Sequence, residues 1–174
     1  TGQANIAVAD AVTLWPRLEA MDMPLVSPAP ANQSGGWLAS FYTQADKLGY
    51  RVDYTAVHNY PSPNGGSSDN LISVLQSAYS TWGRPVWLTE FSAVDWYGTG
   101  TWTEEDNYNW LAEFLWRAEG FSWLRKYSLF ISTNKPSWPP PAKPWSAVGP
   151  CSNTFYKNGN LTAFGELYAA WDGD

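Results

Sequence analysis

At 174 residues the chain can form one domain with a real core, and its ten Lys plus Arg against 16 Asp plus Glu leave a net charge of −6. That balance argues against a nucleic-acid interface, which needs a basic patch. No stretch has the length and apolarity of a transmembrane span, and the first residues lack a signal-peptide pattern, so no membrane association is expected. The single Cys151 cannot close an internal disulfide and no Cys/His cluster has metal spacing, so neither a metal nor another cofactor is expected. With charged residues at 15%, 14 Gly and 13 Pro, the composition suits a secreted or extracellular protein better than a cytosolic one. The sequons Asn32-Gln33-Ser34 and Asn160-Leu161-Thr162 add little, because two in this length is close to chance.

Along the chain, Val8, Ala11, Val12, Trp15 and Leu18 recur at spacings of three and four, predicting a helix over 5–21 that Pro16 kinks or ends in part. Pro24 to Pro28 reads as a short apolar strand running into a Pro-rich loop. Trp37, Phe41, Ala45 and Leu48 mark a helix over 36–48 that Gly49 terminates. A strand over 52–58 leads into the loop Asn59-Tyr60-Pro61-Ser62-Pro63, and Leu71, Val74, Leu75 and Ala78 form the inner face of a helix over 69–82. The apolar run Pro85-Val86-Trp87-Leu88 is a buried strand closing on Thr89-Glu90-Phe91. Thr103 then caps a helix with Asp106 at its third position, and this helix continues through Ala118. A strand over 126–131, a Pro-rich loop over 134–153, a turn at 157–160 and a helix over 162–171 complete the chain.

Strands that alternate with helices of ten or more residues mean an α/β fold with a parallel sheet and right-handed crossovers. Only four strands are expected, whereas a closed eightfold barrel rarely has fewer than about 200 residues. Glu90 is the most informative residue. A carboxylate at the end of a buried strand costs several kcal/mol unless it is paired or used. Twelve Trp and ten Tyr accompany it in the chain. A strand-end carboxylate among exposed aromatics is the chemistry of a carbohydrate-cleaving site, and the plainer alternative is a strand-end ion pair.

The segments Gln3 to Leu18, Leu25-Val26-Ser27-Pro28, His58-Asn59-Tyr60-Pro61, Trp87-Leu88-Thr89-Glu90-Phe91 and Asn160 to Gly165 together resemble glycoside hydrolase family 128, the endo-β-1,3-glucanases of retaining clan A. The resemblance runs over essentially the whole chain. It implies a (β/α)8 TIM barrel of which residues 1–174 supply about the second half, strands five to eight with their helices. It makes Glu90 the nucleophile at the end of the seventh strand. The acid/base Glu of that clan lies in an Asn-Glu-Pro motif, which this sequence lacks, so it is expected in a complementing N-terminal half-barrel. Asp95, Glu104 and Glu105 are poor substitutes, the first in a loop and the others opening a helix.

His58 and Tyr60, two apart at a strand end, point to one face. The resemblance implies that Tyr60 holds the nucleophile ionised while His58 positions the carboxylate or sugar. Trp96, with Tyr97 beside it, and the loop residues Trp138 and Trp145 are candidate sugar platforms. Phe130 stands where the clan often has a Trp under the cleaved sugar. Strand alternation groups Val86, Leu88 and Glu90 on one face and directs Trp87 and Thr89 toward the helices. Trp82, Trp110, Trp116 and Trp171 are expected in the core. The expected partner is β-1,3-glucan. The competing expectations are a non-catalytic glucan-binding barrel remnant and a clan A enzyme acting on β-mannan or cellulose.

Overall fold

The computed structural model describes residues 4–33, 35–62, 67–94, 103–130, 156–157 and 160–171. The elements in order are α1 (Val8–Glu19), α2 (Gly36–Leu48), β1 (Thr55–Asn59), α3 (Asp69–Trp82), β2 (Val86–Phe91), α4 (Glu104–Ala118), β3 (Leu124–Leu129), β4 (Tyr156–Lys157), β5 (Asn160–Leu161) and α5 (Ala163–Ala170). β1, β2 and β3 form a parallel sheet in that order, and β4 pairs antiparallel with β5. The α/β class with crossover helices therefore holds. The expected strand over Pro24–Pro28 is reduced to one parallel bridge, Val26 to Tyr54. Side chains do part of the ladder's work there: Ser27 Oγ accepts from the Ala56 N–H at 3.0 Å, and Asp53 accepts from the Leu25 N–H at 2.7 Å.

Helix boundaries follow local chemistry. Gly49 and Gly83 stop α2 and α3 in the left-handed conformation, with φ of 71° and 62°, which costs Gly little. Pro16 sits inside α1 and does not end it. α4 opens with a reciprocal box: Thr103 Oγ1 accepts from the Asp106 N–H, and Asp106 Oδ2 accepts from the Thr103 N–H at 2.7 Å. In α5 the Thr162 hydroxyl accepts from the Gly165 N–H.

Two apolar clusters bind the helices to one face of the sheet. α3, α4 and α5 close over Val57, Val86, Leu88 and Phe91, with Trp110, Leu111, Phe114 and Leu115 fully buried. α1 and α2 pack Val12, Trp15, Leu38, Phe41 and Tyr42 around Leu25 and Val52. Trp82 and Trp171 pack at the margins and Trp110 lies at the centre, as expected. Trp116 does not: it is 73% exposed, because its position on α4 turns away from the sheet. The outer edge of β3 is capped by a side chain, since the Tyr168 hydroxyl accepts from the Leu129 N–H and donates to the Tyr127 carbonyl, both at 3.3 Å.

Two exposed carboxylates tie acid stability to helix starts. Hydrogen bonds from the Thr103 N–H and hydroxyl lower the pKa of Asp106, and a hydrogen bond from Arg117, followed by Ser67, lowers that of Asp69. A carboxyl whose folded pKa is depressed stabilises above its unfolded value of about 3.9, and that stabilisation disappears as pH falls through the lower folded value. The urea midpoint should therefore drop between pH 6 and pH 3. Asp106→Asn should lower the midpoint at pH 6 and shrink the drop, and an unchanged drop would show that the box carries none of it.

Candidate active site

Strict alternation would put Val86, Leu88 and Glu90 on one side of β2. The structure corrects this. Val86 and Leu88 are fully buried against α3 and α4, and so is Phe91. The register with β3 slips between Leu88 and Phe91, and that with β1 slips between Val57 and His58, so that Glu90 lies opposite His58. A bulge of this kind places two successive residues against one and redirects a side chain. Glu90 is thereby turned to the face away from the helices, the face that also carries Trp87. Phe91 anchors the bulge from the other side, with its ring 4.9 Å from Phe114 and 6.1 Å from Trp110, centroid to centroid.

On that open face three predicted residues meet. The Tyr60 hydroxyl donates to Glu90 Oε2 at 2.5 Å, and His58 Nδ1 lies 3.3 Å from the same oxygen. His58 and Tyr60 are two apart at the end of β1, so one strand delivers both to one carboxylate. Glu90 remains about one-third exposed. Burial first, then the hydrogen bond and charge of Glu90, push the Tyr60 phenol far above its ordinary pKa, so the proton stays on Tyr60 and the phenol serves as donor. A charge-assisted O–H···O⁻ bond of this length belongs to the strong class. Both contacts fall on Oε2.

Phe130 closes one side of the group, packing edge-on against the Tyr60 ring at 5.9 Å and 78° while 38% exposed. It supports the hydroxyl donor in addition to offering an apolar surface. Trp96, Tyr97, Asp95, Trp138, Trp145 and Cys151 lie outside the described residues. Trp87, expected toward the helices, packs tilted against Tyr54 at 4.8 Å and 31° and carries the Lys126 ammonium 4.7 Å from its ring centroid. Sequence reasoning missed this Tyr54–Trp87–Lys126 group because periodicity does not register a bulge. Among the described residues no cluster of three or more His, Cys, Asp or Glu could hold a metal ion. A cavity of about 510 Å³ between the end of α4 and the start of β3 lies at the opposite end of the strands from Glu90 and plays no part in this geometry.

A family profile described as the glycosyl hydrolase catalytic core matches residues 1–168. The chain belongs to this family. Among solved members, the fold is similar to a family 128 (subgroup I) endo-β-1,3-glucanase from Amycolatopsis mediterranei, crystallised with laminaritriose and laminaribiose. That match has a TM-score of 0.76 and 29% identity, and covers 98% of this chain and 67% of that one. A family 128 (subgroup V) exo-β-1,3-glucanase from Cryptococcus neoformans shares the fold at a TM-score of 0.76 and 22% identity, over 95% of this chain and 63% of that one. Among curated proteins, Alkali-sensitive linkage protein 1 of Schizosaccharomyces pombe is 26% identical over 144 residues, which is 83% of this chain and 24% of that protein. The chain thus spans about a quarter of the length of this curated relative.

Proposed function

We propose that this glycosyl hydrolase chain carries the nucleophile side of a retaining β-1,3-glucanase, with Glu90 attacking the anomeric carbon. The observation that carries the reading is the shared hold of Tyr60 and His58 on Glu90 Oε2. The Tyr60 hydroxyl bond and the adjacent His58 ring fix the plane of the carboxylate, which is the positioning a nucleophile requires. Attack by the carboxylate on the anomeric carbon forms a glycosyl ester as the glycosidic C–O bond breaks and the leaving oxygen takes a proton from the acid; water then attacks the same carbon and releases the Glu90 carboxylate, with net retention. The substrate assignment rests on the solved relative's complex with laminari-oligosaccharides and on the aromatic candidates Phe130, Trp96, Trp138 and Trp145. Family members with endo and exo action share this fold, so the loops around the cleft set the mode.

Retention needs a second carboxyl about 5–5.5 Å from the first to protonate the leaving oxygen. Glu113 on α4 is committed elsewhere: it accepts from the Ser68 N–H and from Arg117, both at 2.7 Å. The proposal therefore places the acid/base on a complementing N-terminal half-barrel, with residues 1–174 as the C-terminal half of one barrel domain acting outside the cell. The chain alone is then inactive. Three parallel strands and one bridge among the described residues, against the eight strands of a closed barrel, support this division.

The test is release of reducing ends from laminarihexaose by the chain alone and by the chain with the complementing half. Turnover only in the second mixture supports the proposal. Binding without turnover in both would favour the alternative, a non-catalytic β-glucan-binding remnant. In the active mixture, Tyr60→Phe should slow turnover by about 10- to 100-fold, since a hydrogen bond to a charged group is worth about 1.5–3 kcal/mol. A rate unchanged by Tyr60→Phe would reduce Tyr60 to a packing role.

A further inference from the structure

We infer that internal water sits behind the Glu90 bulge, held by Asn107 and Ser92, and that through it Asn107 is a positioning residue for the carboxylate. Only the catalytic meaning of that position rests on Glu90 as the nucleophile; the water and its effect on the site do not. The observation is a concentration of unpartnered polar atoms in one region. Among the described residues, Nδ2 and Oδ1 of Asn107, Nε1 of Trp110, Oγ of Ser92 and Oδ1 of Asn59 are buried and have no hydrogen-bond partner. Trp110 and Ser92 are fully buried and Asn107 is 1% exposed. Native chains rarely leave such groups unpaired, because each forfeits the hydrogen bonds it made to solvent before folding.

The fold brings these groups to one end of the sheet. As the crossover between the parallel strands β2 and β3, α4 runs back along them, so its first turns lie over the end of β2. The Trp110 ring lies 6.1 Å from that of Phe91. Asn107 shares the buried stripe of α4 with Trp110, Leu111 and Phe114, at spacings of three, four and seven. It stands about 4.5 Å nearer the helix start than Trp110, at the level where the chain passes from Phe91 to Ser92. Asn59 is the register partner of Phe91, and the Ser92 N–H donates to the Asn59 carbonyl at 3.4 Å. Two residues on, the Val94 N–H donates to the Pro61 carbonyl at 2.8 Å. The segments that carry Tyr60 and Glu90 are thus stitched to each other at Ser92 and Val94. The unpartnered groups are neutral and include both donors and acceptors, which suits water rather than an ion. Water bridging Asn107 to Ser92 braces the residues next to the two strand ends that meet at Glu90 Oε2.

The test uses the full 174-residue chain. In a nuclear Overhauser experiment the Trp110 indole N–H and the Asn107 side-chain amide should show cross-peaks to water of the sign that marks long-lived contact. Asn107→Leu, close to Asn in shape but without its polar atoms, should remove the Trp110 cross-peak and lower the folded-to-unfolded ratio in urea titration by about tenfold or more. It should also move the ring resonances of His58, the sole His of the chain. Ser92→Ala is a milder change and should move His58 in the same direction, even if Asn107→Leu does not fold. Leu38→Ala, in the separate α1–α2 cluster, should lose stability and leave His58 in place. If Asn107→Leu keeps or raises stability, or the water cross-peaks are missing from the parent, the inference is overturned. If neither Asn107→Leu nor Ser92→Ala moves His58, the positioning role is overturned. None of these outcomes bears on the nucleophile reading, which Glu90→Gln tests separately.

Discussion

Glu90→Gln should abolish hydrolysis of laminarihexaose by the reconstituted protein, by three orders of magnitude or more, which is about 4 kcal/mol or more in the barrier. The amide keeps the shape of the carboxylate and can still face Tyr60 and His58, so the fold and glucan affinity should hardly change. What it loses is the charge and the lone pair that attack. Single-turnover rates with equilibrium binding separate the two effects. A variant within about tenfold of the parent, a change of only ~1.4 kcal/mol, would remove Glu90 from the nucleophile role.

Phe91→Ala should cost about 3–5 kcal/mol of stability, a large part of the roughly 5–15 kcal/mol that such a domain has. Phe91 is fully buried and touches the rings of Trp110, Phe114 and Tyr127. Its carbonyl also accepts from the Phe130 N–H at 2.9 Å, joining the bulge to the end of β3. The ring is the counterweight that directs Glu90 to the open face. Losing it should damage the site beyond the damage to the fold. The check is turnover corrected for the folded fraction from urea titration, with Phe91→Leu as the milder comparison. If the corrected turnover of Phe91→Ala equals that of the parent, the bulge holds without its anchor.

Much of the architecture could be read in the chain because its helices carry local signals. The Gly49 stop, the Thr103–Asp106 box and the 3–4 spacing of Leu71, Leu75, Leu111 and Phe114 depend on neighbours within a turn or two. The meeting of His58, Tyr60 and Glu90 was legible for a similar reason, since two short strand ends carry all three. The faces of β2 were not. They depend on a register slip set by packing from α4, and alternation carried through the slip assigns Trp87 to the wrong side. The Pro24–Pro28 segment was overread for a related reason. Its apolar run predicts a ladder, but Asp53 and the Ser27 hydroxyl take over pairings that a regular strand would give to backbone. Trp116 misled because it lies on the face of α4 opposite Leu111, Phe114 and Leu115, the residues that meet the sheet.

The Tyr168 hydroxyl on the margin of β3 bears on solubility. A parallel strand with a bare edge is a template on which another chain can add, and such edges seed aggregates. One phenol satisfies both a donor and an acceptor there, and α5 holds it across the strand. The margin is thereby blunted at the Leu129 N–H and the Tyr127 carbonyl. Among the described residues, helix α5 thus satisfies the backbone at this end of β3 as well as covering the core.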